Sequence, residues 1–379
     1  MSTSTDLEFI GITATQRVDT SPTAGAGAGG MATHTEIGVP VGPPVNKEFA
    51  AELARAHEAS GFDRVLIAHS SSSIDGFVLA DQTLEATESL KVLLAHRPGF
   101  WSPTIAARAY ATLDAFHPGR VAMHVITGGD DTDQQRDGDY LTKEERYRRT
   151  DDFLTVLRQE WESDRPFDHE GEFYKLTGAY AAVRPEGRIP IYFGGASEDA
   201  VRVGGKHADA YAFWGEPLDA IRQRIAEVRA AAALYGRDPR FSVSLRPIVA
   251  ETEEEAWAQA EAVLAAAQAK VAASGGGGPL SGFGKNAVGS QRLVAAAEQG
   301  DVHDKRLWTA LAKVTGGAGN STSLVGTYEQ VAEGLLDYVD LGVTTLLIRG
   351  FDPLEDAKKY GRVIQLVRAG ARQRPALAG

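Results

Sequence analysis

One alternation governs what this chain can fold into. A short run of aliphatic and aromatic residues is followed by a segment whose apolar residues recur at helical spacing, and the pair repeats along the sequence. The apolar runs begin at Leu7, Asp63, Leu90, Arg120, Ile189, Ala210, Phe241 and Thr344, and the run from Phe241 reads as one strand as far as Ala250. Unbroken apolar runs of this kind read as strands buried on both faces, as in a parallel sheet covered by helices. Eight strand–helix units without a separable linker predict an α/β fold: a single eight-stranded parallel (β/α) barrel, the TIM-barrel architecture with insertions, over residues 1–379. The chain holds no cysteine, which removes disulfides, thiolate nucleophiles and cysteine–metal sites.

Two insertions stand out. Asp19 to Gly38 is dominated by Gly, Ala and Thr, too little apolar surface to order itself, and reads as a mobile loop. Val271 to Asp304 contains AASGGGGPLSGFGKNAVG and reads as a mobile lid. His169 to Pro185 reads as a hairpin with no chemical role assigned. A net charge of −12 opposes nucleic-acid and anionic-membrane partners. No apolar run reaches membrane-spanning length, and MSTSTDLEF lacks the features of a secretory signal, so a cytoplasmic protein is expected.

In such a barrel the chemistry sits at the C-terminal ends of the strands. Those ends carry His69, His96 and Arg97, His124 and Thr127, Gly194 to Ser197, Trp214 and Glu216, Arg246, and Arg349 with Phe351. In RIPIYFGGASE, Arg188 to Glu198, a strand runs through glycines into a helix start, which aims backbone donors and the positive helix end at an anion such as phosphate. A plain strand-to-helix turn is the alternative there. The three histidines lack the spacing and carboxylate company of a metal site, so no metal is expected. Arg246 and Arg349 suit an anion clamp or a structural ion pair with Glu216 or Asp352. No nucleophile triad, Walker loop or catalytic carboxylate pair is visible, so a bound cofactor must supply the difficult chemistry, and a mononucleotide such as a flavin suits the mouth.

Several runs together resemble the bacterial luciferase-like flavin monooxygenases, and among them the reduced-FMN-dependent alkanesulfonate monooxygenases. They are HRPGFWSPTIAARAYATLD (His96 to Asp114), GRVAMHVITGGD (Gly119 to Asp130), ERYRRTDDFL (Glu145 to Leu154), FDHEGEFYKL (Phe167 to Leu176), IPIYFGGAS (Ile189 to Ser197), DAYAFWGEP (Asp209 to Pro217) and ETEEEAW (Glu251 to Trp257). The resemblance implies FMN at the strand ends, its phosphate on Gly195, Ala196 and Ser197 with Tyr147 reaching the same group. It places His69, His124, Thr127 and Trp214 beside the cofactor. It implies reduced FMN from a separate NAD(P)H-dependent flavin reductase, O2 as co-substrate, and a homodimer or homotetramer. For a sulfonate the products are an aldehyde and sulfite.

The sulfonate end departs from the pattern. Ser244 and Arg246 replace an Arg-x-His pair, Thr315 an Arg, Phe351 a Tyr and Ser73 a Cys, and Gly316 to Gly326 has extra residues. Arg97, Arg246, Arg349 and Phe351 are therefore the candidate substrate contacts, and His69, His124, Arg246 and Arg349 the candidate catalytic groups, with His96 a further candidate for proton handling. An organosulfur substrate is the expectation. A deazaflavin-dependent oxidoreductase of the same fold and a flavin-binding barrel without turnover are the alternatives.

Overall fold

The computed structural model describes residues 7–19, 39–273, 287–319 and 321–374. The expected mobile loop falls almost wholly outside these residues, as does the middle of the expected lid, 274–286.

Eight strands, Glu8–Ile12, Arg64–Ile67, Lys91–His96, Val121–Val125, Ile191–Gly194, Ala210–Trp214, Arg240–Leu245 and Val343–Ile348, close into one barrel. Each lies beside its neighbours in sequence, and the last lies beside the first. The pairing is parallel, with Ile10 opposite both Arg64 and Leu347, and His96 opposite Val125. Parallel strands need a crossover between them, and a helix supplies it, which is why the apolar runs alternate with amphipathic segments.

Two compact units make up the chain: Met1–Leu66 with Ala212–Ala226 and Arg240–Gly379, and Ile67–Tyr211 with Glu227–Pro239. The first buries Phe9, Ile10, Val65, Phe241, Val243 and Leu346. The second buries Leu93, Met123, Val125, Phe153, Ile191 and Phe193. Each such side chain contributes roughly 1.5–3 kcal/mol on leaving water.

Local chemistry fixes where the helices begin. Asn46 Oδ1 accepts the Phe49 N–H at 2.9 Å and opens Lys47–Ala59. Thr142 and Glu145 form a reciprocal capping box at the head of Lys143–Glu162: Thr142 Oγ1 accepts the Glu145 N–H, and the Glu145 carboxylate accepts the Thr142 N–H at 2.7 Å. That box sets the register that carries Tyr147. The antiparallel hairpin Phe167–Glu170 with Lys175–Ala179 begins two residues before the expected segment and ends well short of Pro185.

One expectation is corrected. Phe241 to Ala250 is not a single strand. The barrel strand ends at Leu245, and Ile248–Ala250 belongs to a second, four-stranded sheet, parallel to Ser323–Thr327. Pro247 lies at the break, where it has no N–H to give to a ladder. Its carbonyl accepts the Tyr360 hydroxyl at 2.6 Å.

Candidate functional site

In the second unit, the sharpest local geometry follows the strand Ile191–Gly194. Gly195 has φ +156°, and a Cβ there would stand 2.5 Å from Ala200 Cβ and 3.2 Å from Tyr147 Oη. Only glycine fits this cradle. Ser197 caps Glu198–His207, its Oγ accepting the Ala200 N–H at 3.3 Å. Tyr147 is 6% exposed and its hydroxyl hydrogen-bonds with the Ser197 side chain. Burial pushes the Tyr147 phenol up and the Ser197 contact opposes it, so it remains an uncharged donor. Tyr211 donates to the Gly195 carbonyl at 2.9 Å and braces the turn from behind.

The neighbouring strand ends hold the histidines. Buried His96 stacks on Phe153 at 5.3 Å between ring centroids and meets Tyr110 edge-on at 5.7 Å. Burial lowers its imidazole to about 3, with His69 a lesser cause. Burial alone lowers His124 to about 4. His69 is also lowered, by burial first and then by the Arg97 charge, against the pull of Asp137, Asp133 and Asp75. All three imidazoles are therefore neutral at pH 7. His69 Nε2, His96 Nε2 and His124 Nδ1 are buried and have no protein hydrogen-bond partner. Thr127 is buried, 3.3 Å from the Thr150 hydroxyl.

Arg97 is engaged with acids. Its Nη2 donates to Asp133 Oδ2 at 2.5 Å, and Nη1 lies 3.8 Å from Asp137 Oδ2. Asp133 Oδ1 in turn accepts from Ser71 Oγ at 2.5 Å and Ser71 N–H at 3.1 Å. Burial raises the Asp133 carboxyl, but the Ser71 and Arg97 contacts outweigh it and hold it below the ordinary value. Asp133 sits on Asp131–Arg136, a single charge-rich turn that reading the sequence as a strand end missed.

The first unit holds the remaining candidates. Trp214 packs against Leu293, Ala297 and Ala312. Glu216 is buried and accepts from Arg292 Nη2 at 2.6 Å and Nε at 2.8 Å. Arg246 is wholly buried: its guanidinium lies 4.0 Å over the Phe351 ring, and Nη2 donates to the Gly350 carbonyl at 2.8 Å. The Arg349 N–H donates to the Leu245 carbonyl at 3.2 Å. Asp352 caps Pro353–Arg372 through the Leu354 and Glu355 N–H groups, each at 3.1 Å, and so has its own task.

Among the described residues one trio of potential metal ligands stands together, Asp81, Glu85 and His117, apart from the strand-end histidines. His117 Nε2 lies 3.0 Å from Asp81 Oδ1, the geometry of a hydrogen-bonded imidazole–carboxylate pair. No described helix is long and apolar enough to cross a membrane.

A family model described as luciferase-like monooxygenase matches residues 28–345. The chain belongs to the luciferase-like monooxygenase family. Solved structures share the fold of this chain at low identity. A riboflavin lyase (RcaE), solved with modified FMN and its substrate riboflavin, is 19% identical with a TM-score of 0.76, over 98% of this chain and 93% of that one. The EDTA monooxygenase EmoA from Chelativorans sp. BNC1 is 20% identical with a TM-score of 0.71, over 97% and 94%. An F420-dependent secondary alcohol dehydrogenase, in complex with an F420–acetone adduct, is 17% identical with a TM-score of 0.67, over 96% and 99%.

The residues present fit a phosphorylated aromatic cofactor. The cradle at Gly195 admits no Cβ, a hydroxyl pair flanks it, and three buried imidazole nitrogens have no protein partner. The strand-end pattern of the sequence points to the histidines but not to Asp133. A lone aspartate in a run of acids carries no signal that it will pair with an arginine 36 residues away.

Proposed function

We propose that this chain is the oxygenase component of a two-component flavin system, taking reduced FMN from a separate NAD(P)H-dependent reductase and oxidising an organosulfur substrate with O2. The observation that carries the reading is the cradle at Gly195, with Ser197 at a helix N-terminus and Tyr147 as a neutral donor beside it. That arrangement suits a phosphate: the helix end attracts negative charge, the hydroxyls donate, and no side chain at Gly195 obstructs approach. Reduced flavin, when bound, activates O2 for insertion of one oxygen atom into the substrate. The chain's own contribution is to orient and to keep water out. Gly195, Ala196, Ser197 and Tyr147 would fix the phosphate end. His69, His124 and Thr127 would border the ring, with imidazoles that stay neutral and can each hold or pass one proton.

Ser197→Ala with Tyr147→Phe is expected to weaken FMN binding at least about tenfold, the loss of roughly one charge-assisted hydrogen bond. Flavin fluorescence quenching measures it, and unchanged affinity counts against the seat. Oxygen uptake with reduced FMN, followed by sulfite assay over a panel of sulfonates and sulfones, tests the chemistry. The likeness to an F420-dependent dehydrogenase favours a second reading, deazaflavin hydride transfer. Turnover with reduced F420 and no oxygen uptake would select it.

A further inference from the structure

We infer that Asp81, Glu85 and His117 form a binding site for a divalent transition-metal cation, with Zn2+ as the test ion, and that the ion ties helix Gly76–Glu85 to the end of helix Pro103–Phe116. The inference is independent of the flavin reading. One ligand atom from each side chain, a ring nitrogen and two carboxylate oxygens, lies within 4.8 Å of the others. His117 Nε2 is 3.0 Å from Asp81 Oδ1 and 3.9 Å from Glu85 Oε1. Two ligand atoms each about 2.0–2.1 Å from a tetrahedral zinc stand roughly 3.3 Å apart. The two separations bracket that value, so small side-chain rotations admit the ion. Three protein ligands leave a fourth position for water.

The backbone sets these ligands in place. Asp81 and Glu85 are four residues apart on Gly76–Glu85 and share one face of it. Their side chains are 53% and 71% exposed, which leaves both carboxylates accessible and free to turn towards an ion. His117 is fixed at the C-cap of Pro103–Phe116: its N–H donates to the Leu113 carbonyl at 3.0 Å, and its carbonyl accepts the Arg120 N–H at 3.1 Å. Its side chain is more than nine-tenths buried, yet among the described residues the imidazole has no hydrogen-bond partner outside the trio. Phe77 meets Tyr110 edge-on at 5.0 Å, a second contact between the same two helices. The charge balance also favours a cation. No lysine or arginine of the described residues lies within 4.0 Å of either carboxylate. Arg120, the next cation along the chain, is turned to the Thr87 carbonyl at 3.1 Å and the Leu90 carbonyl at 2.8 Å. The 3.0 Å contact is a hydrogen bond while Nε2 carries a proton. A metal takes that proton's place, with the ring proton on Nδ1, the tautomer that leaves Nε2 a lone pair. One nitrogen and two oxygens suit Zn2+ and neighbouring first-row ions better than Mg2+ or Ca2+, which prefer six or more oxygen ligands.

The test uses the full chain without a histidine tag. Zn2+ is titrated in competition with a chromophoric chelator, and calorimetry gives the stoichiometry. One site per chain with a Kd of about 10 µM is expected. Asp81→Asn, Glu85→Gln and His117→Gln should each weaken it at least about tenfold. Glu88→Gln, outside the trio, should leave it unchanged. Mg2+ and Ca2+ should bind at least about tenfold more weakly than Zn2+. At roughly 100 µM Zn2+, ten times the expected Kd, the folding equilibrium should move about tenfold towards the native state, read as a higher urea midpoint that Asp81→Asn abolishes. Asp81 and Glu85 are exposed, so their variants carry the test if His117→Gln does not fold. A Kd weaker than about 1 mM would overturn the inference. So would binding that survives all three substitutions, equal affinity for Mg2+ and Ca2+, which marks a merely acidic surface, or a urea midpoint that Zn2+ leaves in place.

Discussion

Replacing Gly195 with alanine puts the cradle to the most direct test. The added methyl would stand 2.5 Å from Ala200 Cβ and 3.2 Å from the Tyr147 hydroxyl. Carbon atoms rest about 3.5–4.0 Å apart, so the turn must open by ~1 Å. It must do so against the first turn of Glu198–His207, whose methyl at Ala200 has no rotamer to move into. Over-packing of this kind costs about 1–3 kcal/mol. The backbone at φ +156°, which side chains other than glycine rarely adopt, adds roughly 1–3 kcal/mol. We therefore expect Gly195→Ala to lose about 2–6 kcal/mol, seen as a lower urea midpoint with an unchanged slope in circular dichroism. FMN affinity should fall at least about tenfold in the same variant, since the methyl intrudes where a phosphate would lie. Adding Ala200→Gly removes one of the colliding groups. It should recover the steric share, while the backbone share and about 1 kcal/mol for glycine in a helix remain. A Gly195→Ala protein within about 0.5 kcal/mol of the parent, binding FMN as tightly, would refute the reasoning.

Other variants probe buried charge. The Glu160 side chain is wholly buried, neither oxygen has a hydrogen-bond partner, and the nearest cation is Arg108 Nη1 at 3.7 Å. Burial raises its carboxyl above the ordinary 4.5, with Arg108 opposing. Stability tied to this group is complete below pH 4.5 and is lost as pH rises through the folded value. Glu160→Gln should therefore gain about 1 kcal/mol at pH 8 and nothing at pH 4, read from paired urea titrations. His57 behaves in the opposite sense. Burial lowers it from 6.5 to about 4, so its contribution is complete above pH 6.5 and is lost as pH falls towards 4. That loss can reach about 3 kcal/mol. His57→Leu should flatten this limb of the stability profile, at a cost of about 1 kcal/mol near pH 7 for the 2.9 Å bond from Nδ1 to the Leu53 carbonyl. An acid limb as steep as the parent's would assign it to other groups.

The barrel was legible because each strand announces itself twice, by an unbroken apolar run and by the helix that must follow it. Lys91–His96 and Val121–Val125 are of this kind. Three-residue pieces such as Ile248–Ala250 are too short to show a period, and only the pairing with Ser323–Thr327 makes them strands. At the candidate site, the strand end, the glycine turn at Gly195 and the helix cap at Ser197 were legible, since that geometry is local. The environment of Arg97 was hidden. From the sequence it reads as an available cation, and only the fold brings Asp133 and Asp137 to it. Arg246 was opaque for the same reason: nothing in its neighbours along the chain says that Phe351 will cover it.

The seam between Glu8–Ile12 and Val343–Ile348 has a consequence for biosynthesis. Thr345 Oγ1 reaches Glu8 Oε2 at 3.3 Å across a separation of 337 residues, while every other neighbouring pair in the barrel joins consecutive barrel strands. A nascent polypeptide can lay down its strands one beside the next, yet one margin of the first strand stays open until the last emerges from the ribosome. An open margin of unpaired amides is a template for a foreign strand. Translation that stops before Val343 should therefore yield not a smaller barrel but a chain with two sticky margins, held in check only by chaperones or removed by proteolysis.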